Sequence, residues 1–165
     1  MRIEFKVDQR EIDKLMRDLS AYGGRVAKKI EKETGYAALE VQQLAARKAP
    51  FNLGRLGASI QVQRQARSVK LSRRLRGQAA RVTYIVGTPL RYAASVEFGS
   101  VPHWAPIGPL KQWAKRKLGD ESAAYAVQKT IAKKGTKPQP FLRPAYKKVI
   151  PGYKKKIKRI LRFIR

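Results

Sequence analysis

The chain of 165 residues carries 38 lysines and arginines against 11 aspartates and glutamates, which gives a formal net charge of +27. Its 43% apolar content is enough to build one compact core, and the absence of cysteine excludes disulfides, thiolate metal sites and a cysteine nucleophile. No apolar run reaches the roughly 18 to 20 residues of a membrane span. We expect no secretory signal, because the first residues carry acids and lack an apolar stretch.

The first part of the chain predicts a strand followed by a long helix. Residues 2–7 alternate between apolar and polar side chains, which is typical of a half-buried strand. Apolar residues at helical spacing begin after Asp8, a plausible N-cap, and continue to Pro50 with an interruption at Gly23-Gly24. We interpret this stretch as one long kinked helix or as two helices, with the apolar stripe packed in the core.

The central part of the chain predicts a turn, two strands and a basic arm. The glycine- and proline-containing residues 50–57 indicate the turn. Residues 59–69 alternate loosely and residues 82–86 (VTYIV) are typical of a strand. Between them, residues 67–77 contain five basic side chains and no acid, which favours a long hairpin arm or a mobile loop. A further short segment runs from Arg91 to Phe98.

The last part of the chain predicts an irregular loop, three helices and a proline-stiffened stretch. The loop covers residues 101–109 and is followed by a short helix that ends at Gly119. Asp120 caps a second helix, which ends at Gly135. Residues 136–146 are predicted to be extended, and residues 147–165 form a basic amphipathic helix, bent or begun at Pro151-Gly152.

These elements predict an α+β fold in which a long N-terminal helix packs on a small antiparallel sheet, followed by short helices and a basic C-terminal helix. We expect residues 1–146 to form a single body with a basic arm near residues 67–77. Residues 147–165 are expected to form the basic amphipathic C-terminal helix.

The positive charge is concentrated after the first quarter of the chain. Residues 1–40 hold nine basic and eight acidic residues, whereas residues 41–165 hold 29 basic and three acidic residues. Such a distribution indicates a surface that meets polyanions or acidic proteins. The candidate contacts to DNA or an acidic partner are Arg67, Lys70, Arg73, Arg74, Arg76, Lys154, Lys155, Lys156, Lys158 and Arg159.

The residues available for catalysis are few and scattered. His103, the single histidine, is interpreted as a packed or hydrogen-bonded structural residue. Glu97 is expected to form an ion pair with a nearby arginine, and Asp120 and Glu121 fit a helix N-terminus. No phosphate-binding, dinucleotide-binding, zinc-protease or serine-hydrolase motif is present. We therefore expect no enzyme activity, no metal and no cofactor.

Four segments, in this order, carry a family resemblance. They are APFNLGRLGASI from Ala49, YAASVEFGS from Tyr92, PIGPLKQWAKRKLG with the following IAKKGT, and PQPFLRPA from Pro138. Together they resemble the tail-component family of long-tailed double-stranded DNA bacteriophages, which comprises tail-completion and neck proteins for head–tail joining. The resemblance extends from about residue 9 to the C-terminal helix.

The resemblance implies a non-enzymatic virion protein that assembles as a homo-oligomeric ring at the neck or tail. The ring would surround the DNA channel and contact neighbouring head-connector and tail proteins, with assembly in the host cytoplasm. Glu97 would lie at a strand end and pair with a basic group on the same or a neighbouring subunit, while Phe141 and Leu142 would anchor the core. The candidate structural or inter-subunit residues are Glu97, Phe98, Phe141, Leu142 and Arg143.

Composition alone leaves an alternative, a free nucleic-acid-binding protein that recognises no particular sequence. The scarcity of base-stacking aromatic residues among the basic runs counts against it. A further alternative is a small basic toxin or nuclease acting on RNA, whose catalysis would rest on arginines and a lone Glu97 or His103. A basic tail lying on an anionic membrane has suitable composition, but the folded body gives no reason for membrane residence, and we expect no membrane partner.

Overall fold

The computed structural model describes residues 2–5, 24–51, 54–70 and 78–162. The predicted helix before Gly23, the tip of the basic arm and the last three residues lie outside these ranges. The described part contains three strands and six helices. In chain order they are β1 (Arg2–Phe5), α1 (Gly24–Lys48), α2 (Arg55–Ala58), β2 (Gln61–Lys70), β3 (Gln78–Gly87), α3 (Ala93–Phe98), α4 (Ile107–Leu118), α5 (Ala123–Lys134) and α6 (Leu142–Arg162).

The strands form one antiparallel sheet in the order β1-β3-β2, with β3 in the centre. β2 and β3 are paired from Gln61 opposite Gly87 to Lys70 opposite Gln78. Ten residues of each strand are therefore paired, and Arg67 and Lys70 of the predicted arm lie towards the Lys70–Gln78 end of this pairing. The predicted α+β class, with a long helix and a small antiparallel sheet, is confirmed.

The core lies between α1, α6 and the sheet. Helix α1 packs against α6 and against β2 and β3. Its buried face is rich in alanine, and these small side chains allow close approach of the neighbouring backbone. The buried core residues are Ala37, Ala38, Val41, Ala45, Leu56, Ile60, Val86, Ala93, Phe141, Leu142, Ala145, Val149 and Tyr153.

Helix α6 begins earlier than the sequence predicts. Its first residue is Leu142 rather than residue 147, so the end of the stretch that we expected to be extended is helical. Pro144 is tolerated because it lies in the first turn, where a backbone N–H has no partner within the helix. The helix continues through Pro151, and its apolar face, including Val149 and Tyr153, belongs to the core.

Helices α4 and α5 pack against each other as a second helical pair. Both end at glycines with positive φ, Gly119 at 76° and Gly135 at 69°, as predicted. No helix in the described ranges combines the length and apolar character needed to cross a bilayer. The described side chains also contain no group of three or more histidines, aspartates or glutamates that could hold a metal ion.

Candidate polyanion-binding surface

Glu97 holds the start of α6 in place. The residue lies in helix α3, so its predicted place at a strand end is wrong. Its side chain is only 2% exposed. Oε2 accepts hydrogen bonds from the backbone N–H groups of Phe141 at 2.8 Å and Leu142 at 2.9 Å, and Oε1 accepts one from Arg143 at 2.8 Å.

This carboxylate satisfies N–H groups that have no partner within the helix, and its charge is favoured by the positive end of the helix dipole. No ion pair of Glu97 is found among the described side chains. Within the described part of the chain, the carboxylate binds backbone amides rather than the basic side chain that we predicted; a pairing with a neighbouring subunit stays a prediction.

The neighbouring residues complete the junction between α3 and α6. Phe141 and Leu142 are fully buried, in agreement with their expected role as core anchors. The guanidinium of Arg143 lies 5.4 Å from the centre of the exposed Phe98 ring, at a distance typical of a cation–π contact. Val96 adds a backbone hydrogen bond, accepting from Gln139 at 2.8 Å.

Two glycines allow a close backbone crossing beside this junction. Ser100 and Thr136 pair as an isolated antiparallel bridge. Gly99 has φ +78° and a Cβ there would lie 2.5 Å from the carbonyl oxygen of Thr136, while a Cβ on Gly135 would collide with the carbonyl of Ser100. Only glycine fits these positions, because both need positive φ and closely approached backbone.

The side of α6 that faces away from the core carries a dense group of cations. Helical periodicity places them opposite Val149 and Tyr153, and all seven are exposed. We call this surface the outer face of α6, and it consists of Lys147, Lys148, Lys154, Lys155, Lys158, Arg159 and Arg162. None of them takes part in an ion pair with a described carboxylate.

Lys156 differs from the other predicted contacts on this helix. Periodicity places it on the flank of α6 rather than on the outer face. Its ammonium nitrogen lies 3.8 Å from a carboxylate oxygen of Glu33 on α1. The structure therefore separates Lys156 from Lys154, Lys155 and Lys158, a distinction that the sequence alone does not reveal.

The outer face of α6 presents ammonium and guanidinium groups, whose chemistry suits the binding of anions. A shallow surface depression is lined by Lys155, Lys158, Arg159 and Arg162. Lysines and arginines three or four residues apart repel one another on a helix, so a bound polyanion would relieve this repulsion.

The predicted contacts on the hairpin arm are only partly described. Arg67 and Lys70 lie in β2, paired with Arg81 and Gln78 of β3. Arg73, Arg74 and Arg76 lie outside the described residues. The structure therefore brings Lys154, Lys155, Lys158 and Arg159 together on one surface, and it places Arg67 and Lys70 on a separate element.

The residues considered for catalysis make structural contacts. Nδ1 of His103 lies 2.9 Å from the carbonyl oxygen of Val101, so it donates a hydrogen bond there. Asp120 accepts hydrogen bonds from the hydroxyl and the backbone N–H of Ser122 at 2.6 and 2.7 Å, and these bonds lower the pKa of Asp120. Glu121 forms an exposed ion pair with Lys115 at 3.3 Å.

The family model described as "Bacteriophage HK97-gp10, putative tail-component" matches residues 13–99. The match covers 87 of the 165 residues and includes the β2–β3 hairpin and α3. It ends at Gly99, directly after the residue pair Glu97-Phe98. Neither the curated proteins nor the solved structures give a match to this chain.

Proposed function

Because the chain belongs to the HK97-gp10-like family of bacteriophage tail components, we propose that it is a non-enzymatic structural protein of the virion neck or tail. In this proposal, copies of the chain form a homo-oligomeric ring around the DNA channel. The ring joins head-connector proteins on one side to tail proteins on the other.

One observation carries the DNA part of this proposal. The outer face of α6 presents seven exposed cations with no described carboxylate paired to them. A net charge of +27 per chain multiplies in a ring, and such a ring needs neutralisation by DNA or by acidic neighbours. Phosphates in the channel supply negative charge at every position along the passing genome.

The contact we propose is to the sugar–phosphate backbone and is independent of sequence. Lysine is a compact, strongly hydrated point charge on a flexible stem, and phosphate contacts of this kind carry no sequence information. Many weak contacts that salt can screen suit a protein past which the genome must slide.

The test of the DNA contact is the affinity for two duplexes of unrelated sequence, measured over a range of salt concentrations. We expect equal affinities and a steep salt dependence. In the triple variant Lys155→Gln, Lys158→Gln, Arg159→Gln, the negative slope of log K against log[salt] should become shallower by about 2.7, because each lost phosphate contact removes about 0.9. An unchanged slope or binding that is insensitive to salt would overturn the DNA contact.

Lys156→Gln is the matched control, since this lysine lies on the same helix but pairs with Glu33. Its slope should equal that of the unmodified protein. Negative-stain images of the purified protein test the ring separately. Closed rings support the neck or tail assignment, whereas DNA binding without rings favours the alternative of a free nucleic-acid-binding protein.

A further inference from the structure

The longest stretch of this chain without a charged residue lies after Glu97. Residues 98–110 are thirteen consecutive positions without aspartate, glutamate, lysine or arginine, although 30% of the whole chain is charged. The next longest such stretch has nine residues, 82–90, and most of it belongs to β3 in the centre of the sheet.

Unlike that strand, the uncharged stretch is exposed. We call residues 99–106, between α3 and α4, the uncharged loop. Within it Val101 is 78% exposed and Trp104 is 70% exposed. Charge depletion together with an exposed aromatic residue is the composition found at the centres of protein–protein interfaces.

Hydrogen bonds from neighbouring elements hold the uncharged loop in one conformation. Ser100 is bridged to Thr136 through backbone bonds of 3.2 Å in both directions. The side chain of Gln128 on α5 donates to the carbonyl of Ala105 at 2.7 Å. The backbone on both sides of Trp104 is therefore already anchored, so the backbone loses less entropy when a partner buries Trp104, which favours association.

We propose that the uncharged loop is a contact between copies of this chain, with Trp104 buried by the neighbouring copy. The occupant follows from charge: two copies of a +27 chain repel each other wherever both present cations. Two copies can pack closely where the contacting surface of one copy carries no cations. An acidic partner would instead favour the basic surfaces. This inference rests on the ring of the proposed function and assigns one of its contacts.

In the experiment, the fluorescence of Trp104 reports whether this side chain is buried when copies of the chain associate. The chain has two tryptophans, so Trp113→Phe leaves Trp104 as the only one. At about 0.5 M salt, where charge repulsion is screened within a few ångströms, raising the protein concentration should produce oligomers in sedimentation velocity. Over the same range, Trp104 emission should shift to shorter wavelength and become less accessible to acrylamide.

The variant Trp104→Ser should weaken assembly about 30-fold, as expected for truncation of a central aromatic contact. Its fold should be retained because the side chain is largely exposed in the single chain. Leu118→Ser is the matched control: Leu118 is also exposed, at 56%, but it directly follows the three cations of the last turn of α4, and its replacement should leave assembly unchanged.

The outcomes separate the two proposals. Rings in which Trp104 stays accessible, or which form equally well with Trp104→Ser, overturn the contact but leave the ring standing. A chain that remains monomeric at every concentration overturns the ring, and the contact fails with it.

Discussion

Replacing Glu97 by glutamine should destabilise the fold far more than a change of one charge on so basic a chain would suggest. The carboxylate is buried and accepts three backbone hydrogen bonds at the start of α6. Glutamine has nearly the same shape, but it has only one acceptor oxygen. If that oxygen still accepts the hydrogen bonds from the N–H groups of Phe141 and Leu142, the amide NH₂ group faces the N–H of Arg143, and that donor loses its partner.

The expected cost follows from these contacts. A buried donor left without a partner costs about 1–3 kcal/mol. The two remaining bonds lose charge assistance, which makes such bonds roughly twice as strong as neutral ones. The interaction with the helix dipole contributes a further 0.3–1 kcal/mol or so. The amide is easier to bury than a carboxylate, which offsets part of the loss, so we expect the free energy of unfolding to fall by about 2–3 kcal/mol.

Urea denaturation, followed by circular dichroism, measures this change. Glu121→Gln is the control, because its exposed ion pair with Lys115 should be worth less than about 0.5 kcal/mol. A Glu97→Gln protein as stable as that control would refute the capping role. A loss of stability that appears only at concentrations where copies associate would instead show that Glu97 acts between subunits.

Two further predictions concern Tyr153 and the glycines. Burial raises the pKa of Tyr153, whose hydroxyl lies 2.9 Å from that of Thr34. The folded state thus favours the protonated phenol. The protein with Tyr153 should be more stable than Tyr153→Phe by about 1 kcal/mol, and this difference should persist below the unfolded pKa of about 10 and decline above it. Denaturation of both proteins from pH 8 to 11 measures the difference, and a constant value would contradict the prediction. Gly135→Ala should lower the free energy of unfolding by more than about 1 kcal/mol, because the new Cβ collides with Ser100. Gly152→Ala should instead raise it by about 0.5–1 kcal/mol, because Gly152 lies in α6 with open space around an added Cβ. Thermal unfolding distinguishes the two signs.

Much of the architecture was predictable because it is encoded locally. Apolar periodicity identified the strands of the β2–β3 hairpin and the last turns of α1 before Pro50. Gly119 and Gly135 marked the ends of α4 and α5, since glycine adopts the positive φ that ends a helix. The excess of cations on α6 was equally visible, because charge is counted directly from the sequence.

The remaining features depend on contacts between residues far apart in the chain. Glu97 and the N–H of Phe141 are separated by 44 positions, and no local pattern indicates that a carboxylate in α3 caps α6. The cap also explains the early start of α6: its first amides are satisfied and Leu142 is buried, so the end of the proline-rich stretch is helical from Leu142 onward. Likewise, the pairing of Lys156 with Glu33 requires the packing of α6 against α1.

The two faces of helix α6 therefore have opposite effects on the stability of the folded chain. Its inner face closes the core through Val149 and Tyr153, while its outer face gathers cations that repel one another and weaken the helix. A helix selected for stability alone would carry acids among these lysines, as α1 does with Glu31, Glu33 and Glu40. The buried contacts and the Glu97 cap supply the stability that the outer face removes. The proposed contact with a negatively charged partner would account for that face, and such binding would itself stabilise the fold.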